Sequence, residues 1–453
     1  MQKLEVQRRT APEFGVSRGI TLSKPKSGPA SKAVQTNLVA IAAALLTGSG
    51  AFAAGFEKTV LWSGRYSGIA GVTSSNVEGA EALAFNPAGI LVSKADRHEM
   101  SANLSVVQSQ FKGPIASNYV QASGQSTFVA PFELTYAQDV NESLAFAVGT
   151  YTAGGAKAEY DPSTFAGVAT PVLVKTDLSI QEVAVGVAYK PLDKLKIGAA
   201  WRMAVVNADF ASYSLSGGGA VLAAAEFSNL KDTEYTGYRL GAQWTDDAWG
   251  LGLAYRSEMI FNASGNAAGT VTVGGTALPM TTSGVTVTTA LPQQLTFGGH
   301  FDFVPKIWRG YAEYDFTNYS RIDAVTISGK FTAPVVGQQS FSSLRMNWID
   351  QHTLRLAGEY MGYRLPIRFG YALTSQVTST DYARAAFTPP GPAHTFTLGT
   401  GLDFLASALR TNAGLDYTFA SGSGSPNAND LSARAGDYAV SSISLHMGIS
   451  YLF

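Results

Sequence analysis

The chain closes on Ser442-Ile443-Ser444-Leu445-His446-Met447-Gly448-Ile449-Ser450-Tyr451-Leu452-Phe453. Ile443, Leu445, Met447, Ile449, Tyr451 and Phe453 fall on one parity, and Ser442, Ser444, His446, Gly448 and Ser450 on the other. A period of two is that of a β-strand, whose successive side chains point to opposite faces. Here one face is greasy and the other small or polar, as in a strand between lipid and a watery lumen. Leu195, Ile197, Ala199, Trp201, Met203 and Val205 repeat the pattern against Lys196, Gly198, Ala200 and Arg202. Leu409, Leu415, Tyr417 and Phe419 do so against Arg410, Asn412, Asp416 and Thr418.

Upstream to Arg97 the same reading yields fourteen strands, near 97-111, 127-138, 143-153, 176-190, 194-209, 233-246, 248-263, 292-304, 307-328, 350-362, 364-376, 393-404, 407-419 and 440-453. Gaps after even-numbered strands are a few residues long, whereas those after odd-numbered strands are long: 112-126, 154-175, 210-232, 264-291, 329-349, 377-392 and 420-439. Single-chain bacterial barrels combine an even strand number with short periplasmic turns and long external loops. Composition agrees: 46% of the 453 residues are hydrophobic and only 14% charged, against about a quarter charged in soluble proteins. Past the leader, no apolar run reaches the roughly 18 residues of a spanning helix. A membrane location therefore requires a closed barrel, because lipid offers backbone groups no hydrogen bonds. A soluble β-sandwich is the alternative for period-two strands, but it has no need of strict short-long alternation. Trp244, Trp249, Trp308, Tyr311, Tyr360 and Tyr363 sit at strand ends, where interfacial girdles or cross-strand pairs are expected.

Lys32, the apolar run Leu38 to Leu46 and Ala51-Phe52-Ala53 have the form of a secretory signal cleaved before Ala54. Residues 1 to 31 are either an unusually long leader or begin upstream of the true start, with Val16 or Leu22 as candidate starts. Removal of residues 1-53 takes away seven basic and two acidic residues and turns the net charge from −1 to −6. The mature chain has no basic stripe, so nucleic acid is not an expected partner. It has no Cys, which suits an oxidising compartment.

Residues 54 to 96 do not alternate. Glu78 to Phe85 predicts a short helix that stops at Asn86, the residue before Pro87, where the α conformation is disfavoured. Some forty residues ahead of the first strand are too few for a separate domain. A fourteen-stranded lumen is wider than its own side chains fill, so these residues are expected inside it as a plug.

Ala54-Gly55-Phe56, Gly64-Arg65-Tyr66-Ser67-Gly68 and Phe85-Asn86-Pro87-Ala88-Gly89-Ile90 resemble the N-terminal hatch of the FadL/TodX family of outer-membrane transporters for long-chain fatty acids and aromatic hydrocarbons. Ala254-Tyr255-Arg256-Ser257-Glu258, Leu291-Pro292 and the terminal aromatic residue extend the likeness over 54-453. The resemblance implies an all-β, fourteen-stranded antiparallel transmembrane barrel, 97-453, holding a hatch, 54-96, after a leader, 1-53. It further implies hydrophobic ligands in the lumen and lateral exit at a kink in the third strand. It places the protein in the outer membrane of a Gram-negative bacterium, as a monomer in contact with membrane lipid, without a cofactor. Phe56 and Asn86-Pro87-Ala88 would shift to release ligand, or serve only structure.

Gly154-Gly155 is either the bend in the third strand or the start of the second external loop. Val221, Leu222 and Phe227 in the third loop either capture ligand or pack the loop on itself. Arg256 and Glu258 either face the lumen together or form a structural ion pair across neighbouring strands. The basic residue that meets a carboxylate in the family's fatty acid transporters has no counterpart at Val205-Val206-Asn207-Ala208-Asp209, which leaves neutral hydrocarbons or esters open. The five His are scattered and none has metal-ligand spacing, and Gly217-Gly218-Gly219 lacks the strand-to-helix setting of a phosphate loop. Two other classes remain: a barrel lipid hydrolase, which needs a Ser/His or acidic/His pair in space, and a structural or adhesin barrel, which would not need a hatch.

Overall fold

Twenty-two strand segments, all paired antiparallel, build one continuous sheet whose wall is a ring of fourteen strands. The structure is a computed structural model, and it describes residues 62-92, 97-115, 121-164, 171-216, 221-425 and 434-453. The leader, its cleavage site and Phe56 lie outside the described residues.

The wall strands are β1 (His98–Pro114), β2 (Phe132–Asn141), β3 (Leu144–Glu159), β4 (Lys175–Leu192), β5 (Leu195–Ser216), β6 (Val221–Thr245) and β7 (Trp249–Arg256). They continue with β8 (Gln294–Val304), β9 (Trp308–Thr317), β10 (Gln351–Tyr360), β11 (Ile367–Thr374), β12 (Ala393–Phe404), β13 (Leu409–Gly424) and β14 (Gly436–Leu452). Each pairs with the next, and β14 returns to β1 from Glu99↔Leu452 to Lys112↔Ala439. Closure leaves no free sheet edge, which is what lipid demands. At the seam His98 and Phe453 exchange backbone hydrogen bonds of 3.2 and 3.0 Å. Both ends of the wall thus lie on the side of the short turns.

The period of two survives in three dimensions. In β14, Ile443, Leu445, Met447, Ile449 and Tyr451 stand outward, nearly half exposed, while Ser442, Ser444, His446 and Ser450 are buried inward. Of the girdle candidates, Trp244, Trp249, Trp308 and Tyr363 are exposed, and Trp308 packs on Tyr360 at 4.6 Å between ring centres. Tyr311 departs from expectation. It faces the lumen, 5% exposed, and donates to Glu359 at 2.6 Å.

The long connections hold much more strand than expected. β5 runs to Ser216 and β6 starts at Val221, so most of 210-232 is a tall hairpin. Met259–Val273, Thr281–Leu291 and Ala324–Ala333 likewise turn 264-291 and the start of 329-349 into sheet. The reason is compositional. Val285, Thr286, Val287, Thr288 and Thr289 are β-branched, with no large outward side chains to mark a lipid face. Below this tier the wall breaks at Ser257-Glu258, Pro292-Gln293 and Asn318 to Asp323.

Facing inward, ion pairs brace neighbouring strands. Arg202, fully buried, binds both carboxylate oxygens of Glu182. Its remaining nitrogen reaches the carbonyls of Tyr238 and Ser257 at 3.4 Å each, beside the break in the wall after β7. Arg355 meets Glu313 and Asp315, Arg368 meets Glu359 at 2.7 Å, and Arg97 bridges Glu99 and Asp139. Arg256 donates to the Pro292 carbonyl at 2.9 Å, and Glu258, in the break after β7, pairs at 3.5 Å with Arg321 of the turn Tyr319–Arg321, so its ion pair is not one across neighbouring strands.

Removing one partner from a buried pair strands the other charge, at a cost of about 3–5 kcal/mol. Arg202→Met should therefore lower the urea midpoint of the detergent-folded barrel sharply. Arg202→Met with Glu182→Leu should recover most of the loss, as read from the heat-modifiable band in gel electrophoresis.

Candidate functional site: the hatch and the apolar path beside it

Residues 62-92 occupy the lumen, touching wall strands on opposite sides of the ring. From Trp62 to Leu91 every residue is buried except Arg65 and Glu78. The expected helix is a single turn, Ala82–Phe85, ended by extended Asn86 before Pro87. The remainder is tight turns, among them one at Tyr66, whose hydroxyl accepts from the Glu78 N–H at 3.2 Å. Burial pushes that phenol above its ordinary pKa, so it stays neutral and able to donate.

The Asn86-Pro87-Ala88 turn is fastened to the wall. Asn86 Nδ2 donates to the carbonyls of Ser74 at 2.6 Å, Ala242 at 3.2 Å and Leu253 at 3.3 Å, while Oδ1 accepts from the Ala88 N–H at 3.1 Å. The carbonyls of Ala242 and Leu253 belong to β6 and β7, so one side chain ties the hatch to two wall strands. The wall makes room by omitting side chains. A Cβ at Gly241 would overlap Asn86 Oδ1, one at Gly198 the Pro87 carbonyl, and one at Gly252 the Ser74 carbonyl. Gly198 and Gly241 are partners in register.

A second seat lies across the lumen. A Cβ at Gly399 would come within 2.7 Å of Gly68 Cα, and one at Gly64 would collide with the backbone at Gly448. Hydrogen bonds secure this half: Gly64 N–H to Asn103 Oδ1 at 2.9 Å, Ala70 N–H to Thr397 Oγ1 at 3.1 Å, and Thr73 and Ser74 N–H to Glu313 Oε2 at 2.9 and 2.7 Å.

Beside the hatch the wall is interrupted. β3 carries a bulge at Ala153, where the ladder to β4 slips between Thr152 and Gly154. Gly154 and Gly155 lie within the strand, paired with Ile180 and Ser179, and Gly155 has φ +157°. They are thus a strand irregularity and not the start of a loop. On the other side β2 is preceded by Ala130 and Pro131, and Pro131 has no N–H to offer the ladder. The segment Thr127–Val129 pairs with β1, and the β2–β3 ladder ends at Glu133↔Tyr151. Between Phe132 and Thr127 no backbone ladder joins it to β3 among the described residues. Only side chains and an outlying bond cross there: Phe132 N–H to Thr152 Oγ1 at 3.2 Å, Thr127 Oγ1 to the Lys157 carbonyl at 3.1 Å, and Gln125 N–H to the Glu159 carbonyl at 2.8 Å.

Two cavities flank this region. One, of about 80 Å³, lies between Trp62, Ala84 and Phe85 of the hatch and Tyr151, Thr152 and Ala153 of β3, with Arg239, Arg256 and Arg355 on its wall. The other, about 690 Å³, opens among the tall hairpins and is lined by Val221, Phe227, Val271, Met280, Phe331 and Phe341, with Arg345 and Arg384 at its rim. Phe227 stacks on Phe210 at 4.4 Å and meets Phe341 edge-on at 5.2 Å. Leu222 is buried against Tyr213 and Val172, away from that cavity. The three residues expected in a loop therefore sit on β6. Two of them line the cavity and the third packs the hairpin. From Phe227 and Phe341 an apolar cluster descends the inner wall through Ile180, Val206 and Phe261 to Met259 and Leu291. Ala153 packs against this cluster and also against the hatch cluster of Leu83, Phe85 and Tyr151.

Sequence reading missed Phe210, Phe341, Tyr151 and Trp62. The available signal was apolar residues on the lumen parity of the upper strands, such as Leu178 and Ile180, where a water-filled barrel would have polar ones. It also missed a Ser/His/acid cluster. Ser105 Oγ lies 2.7 Å from His446 Nδ1, and His446 Nε2 2.5 Å from Asp416 Oδ2. All three are essentially without solvent exposure, and the serine hydroxyl is turned to the Trp62 carbonyl at 3.3 Å.

A fourteen-stranded barrel seated in lipid by its outer face and stoppered by its own N-terminal segment is a class of outer-membrane transport protein. The chain belongs to the family described as Outer membrane protein transport protein (OMPP1/FadL/TodX), whose sequence model matches residues 43-453. It is an outer-membrane protein. No match exists among curated protein sequences. Among solved structures it is similar to the Pseudomonas putida toluene transporter TodX, with TM-score 0.68 and 18% identity over 87% of this chain and 99% of that one. It is also similar to a Pseudomonas aeruginosa FadL homologue, at TM-score 0.69 and 15% identity over 88% and 99%, and to the Ralstonia pickettii toluene transporter TbuX, at 0.66 and 18% over 87% and 99%.

Gly241→Val should fold as a barrel yet unseat the Asn86 turn. The expected readout is higher ion conductance in planar bilayers and faster tryptic cleavage at Arg65. Asn86→Ala, which frees three carbonyls, should do the same more weakly, at a cost of about 1–3 kcal/mol.

Proposed function

We propose that the protein carries small hydrophobic molecules from the external medium into the membrane interior, leaving through the wall at β3 and not through the lumen floor. One observation carries this reading: Ala153, the bulged residue, touches both the apolar cluster that descends from the external cavity and the cluster of the hatch. Ligand is captured in the 690 Å³ cavity by Val221 and Phe227, with Leu222 holding the hairpin that presents them. It descends the apolar inner wall to the small cavity beside Tyr151, then leaves where Gly154-Gly155 and Pro131 interrupt the ladder. Asn86-Pro87-Ala88 is the pivot on which the hatch yields.

No directional contact is needed for affinity. Each methylene removed from water contributes about 0.8 kcal/mol, so a ten-carbon chain gains about 8 kcal/mol. The arginines at the inner cavity have partners of their own: Arg239 donates to the Phe85 carbonyl at 3.1 Å, Arg256 to the Pro292 carbonyl and Arg355 to Glu313. The choice of a neutral hydrocarbon as ligand rests on the apolar capture cavity and inner wall, since backbone carbonyls leave the charges of Arg239 and Arg256 in place. The comparison proteins are toluene transporters and a FadL homologue, and toluene is the natural first probe.

Uptake of labelled toluene and of labelled palmitate into cells expressing the protein tests the reading. Toluene should enter faster than in cells without it, with palmitate a weak competitor. Phe227→Ala should weaken toluene capture by about 1.5–3 kcal/mol, the worth of one buried phenyl ring. Toluene entry no faster than in control cells would remove the proposal.

A further inference from the structure

The geometry points to Trp62 as the stopper of the lateral route, held shut by a latch made of Ser105, His446 and Asp416. The inference rests on the lateral exit proposed above and names the residue that controls it.

Trp62 is 6% exposed and forms one buried apolar cluster with Val107 of β1, Val129 and Ala156. Val129 ends the segment before Pro131, and Ala156 follows the bulge in β3. The ring therefore spans, from inside, the two lips between which the wall has lost its ladder. On its lumen side the same residue lines the small cavity together with Tyr151, Thr152 and Ala153. A molecule in that cavity touches Trp62 and the bulged stretch of β3 together. An apolar gap of this kind needs an apolar stopper, since a polar side chain there would be left without partners.

Trp62 is held by its backbone as well as by its ring. Ser105 Oγ donates to the Trp62 carbonyl at 3.3 Å and contacts His446 Nδ1 at 2.7 Å. His446 is fixed by Asp416 at 2.5 Å, and the Trp62 ring lies over the imidazole at 6.4 Å between centres. The Ser105 N–H also donates to the Pro131 carbonyl at 2.9 Å, so this one residue holds both the stopper and a lip of the gap. Asn103, two residues earlier on the same lumen face, takes the Gly64 N–H. β1 thus secures the start of the described hatch at two successive inward positions. The Ser-His-Asp chain, though it contains the groups of a hydrolase triad, is spent on position. Its serine faces a main-chain carbonyl, and all three groups are shut off from solvent.

The test compares entry of toluene with entry of a hydrophilic solute of similar size in proteoliposomes. Trp62→Ala should raise toluene flux several-fold with no change in hydrophilic flux, and Trp62→Phe should fall between. Ser105→Ala should raise toluene flux less than Trp62→Ala. Removal of Ala153, which straightens β3, should abolish toluene flux in the native background and in Trp62→Ala alike. Toluene flux in Trp62→Ala at or below the native value, with loss on removal of Ala153, overturns the stopper while sparing the lateral exit. Equal gains for both solutes also overturn it, because they signal a displaced hatch. Flux that survives removal of Ala153 overturns the lateral exit itself. Heat-modifiable mobility of each variant establishes that a folded barrel is being compared.

Discussion

The structure depends on backbone meeting backbone at the glycine seats of the lumen. A plug inside a barrel must be held tightly enough to exclude ions, yet it cannot be embedded like a core, because the wall around it is fixed by its own ladder. Gly198, Gly241 and Gly252 on one side, and Gly399 and Gly414 on the other, solve this by removing the wall's side chains where the hatch approaches. Main-chain dipoles and the Asn86 amide then supply the binding, at a separation that even a methyl group would prevent. Buried polar groups are costly when unpaired, so each seat is also a device for satisfying the turns of a segment with almost no regular structure.

The wall obeys the opposite rule. Lipid forbids open ladder, and around most of the ring every strand is paired at membrane depth. The exception at β2 and β3 is built from elements that interrupt pairing locally: a proline without an N–H, a bulge, and two glycines. Interruption is tolerable there because the gap is backed by protein, with Trp62, Val129 and Ala156 closing it from within. The two features are complementary. A rigidly seated hatch without the interruption would be a sealed barrel, and the interruption without a seated hatch would be a leak in the membrane.

Charge and apolarity divide the lumen between them. From the level of the β3 bulge down toward the short-turn side, Arg202-Glu182, Arg355-Glu313 and Arg368-Glu359 brace the wall and the hatch. Toward the long-loop side the same inward parity carries Leu178, Ile180, Val206 and Phe227 instead. Tall hairpins rather than irregular loops carry this second surface, and that gives it a defined shape. A hydrophobic solute meets a preformed apolar slot outside and charged, occupied groups further in, with the bulge of β3 where the two regimes meet.

How much of this was legible in the chain depends on the range of the forces concerned. The alternation of residues 442-453, repeated fourteen times between short and long gaps, determined an antiparallel membrane barrel and its direction, because which face a side chain takes is a local property of a strand. The break at Asn86-Pro87 and the lack of alternation before Arg97 determined that residues 62-92 are not wall. Gly154-Gly155 marked a weak point without saying whether it was loop or strand. Only the tertiary structure decided that it is strand, that Gly241 lies opposite Asn86, that Phe210 and Phe227 stack, and that Ser105, His446 and Trp62 converge from positions 341 and 43 residues apart. Those pairings arise from strand register around a closed ring, which moves whole strands past one another. Nothing within a single strand records which residue will face it.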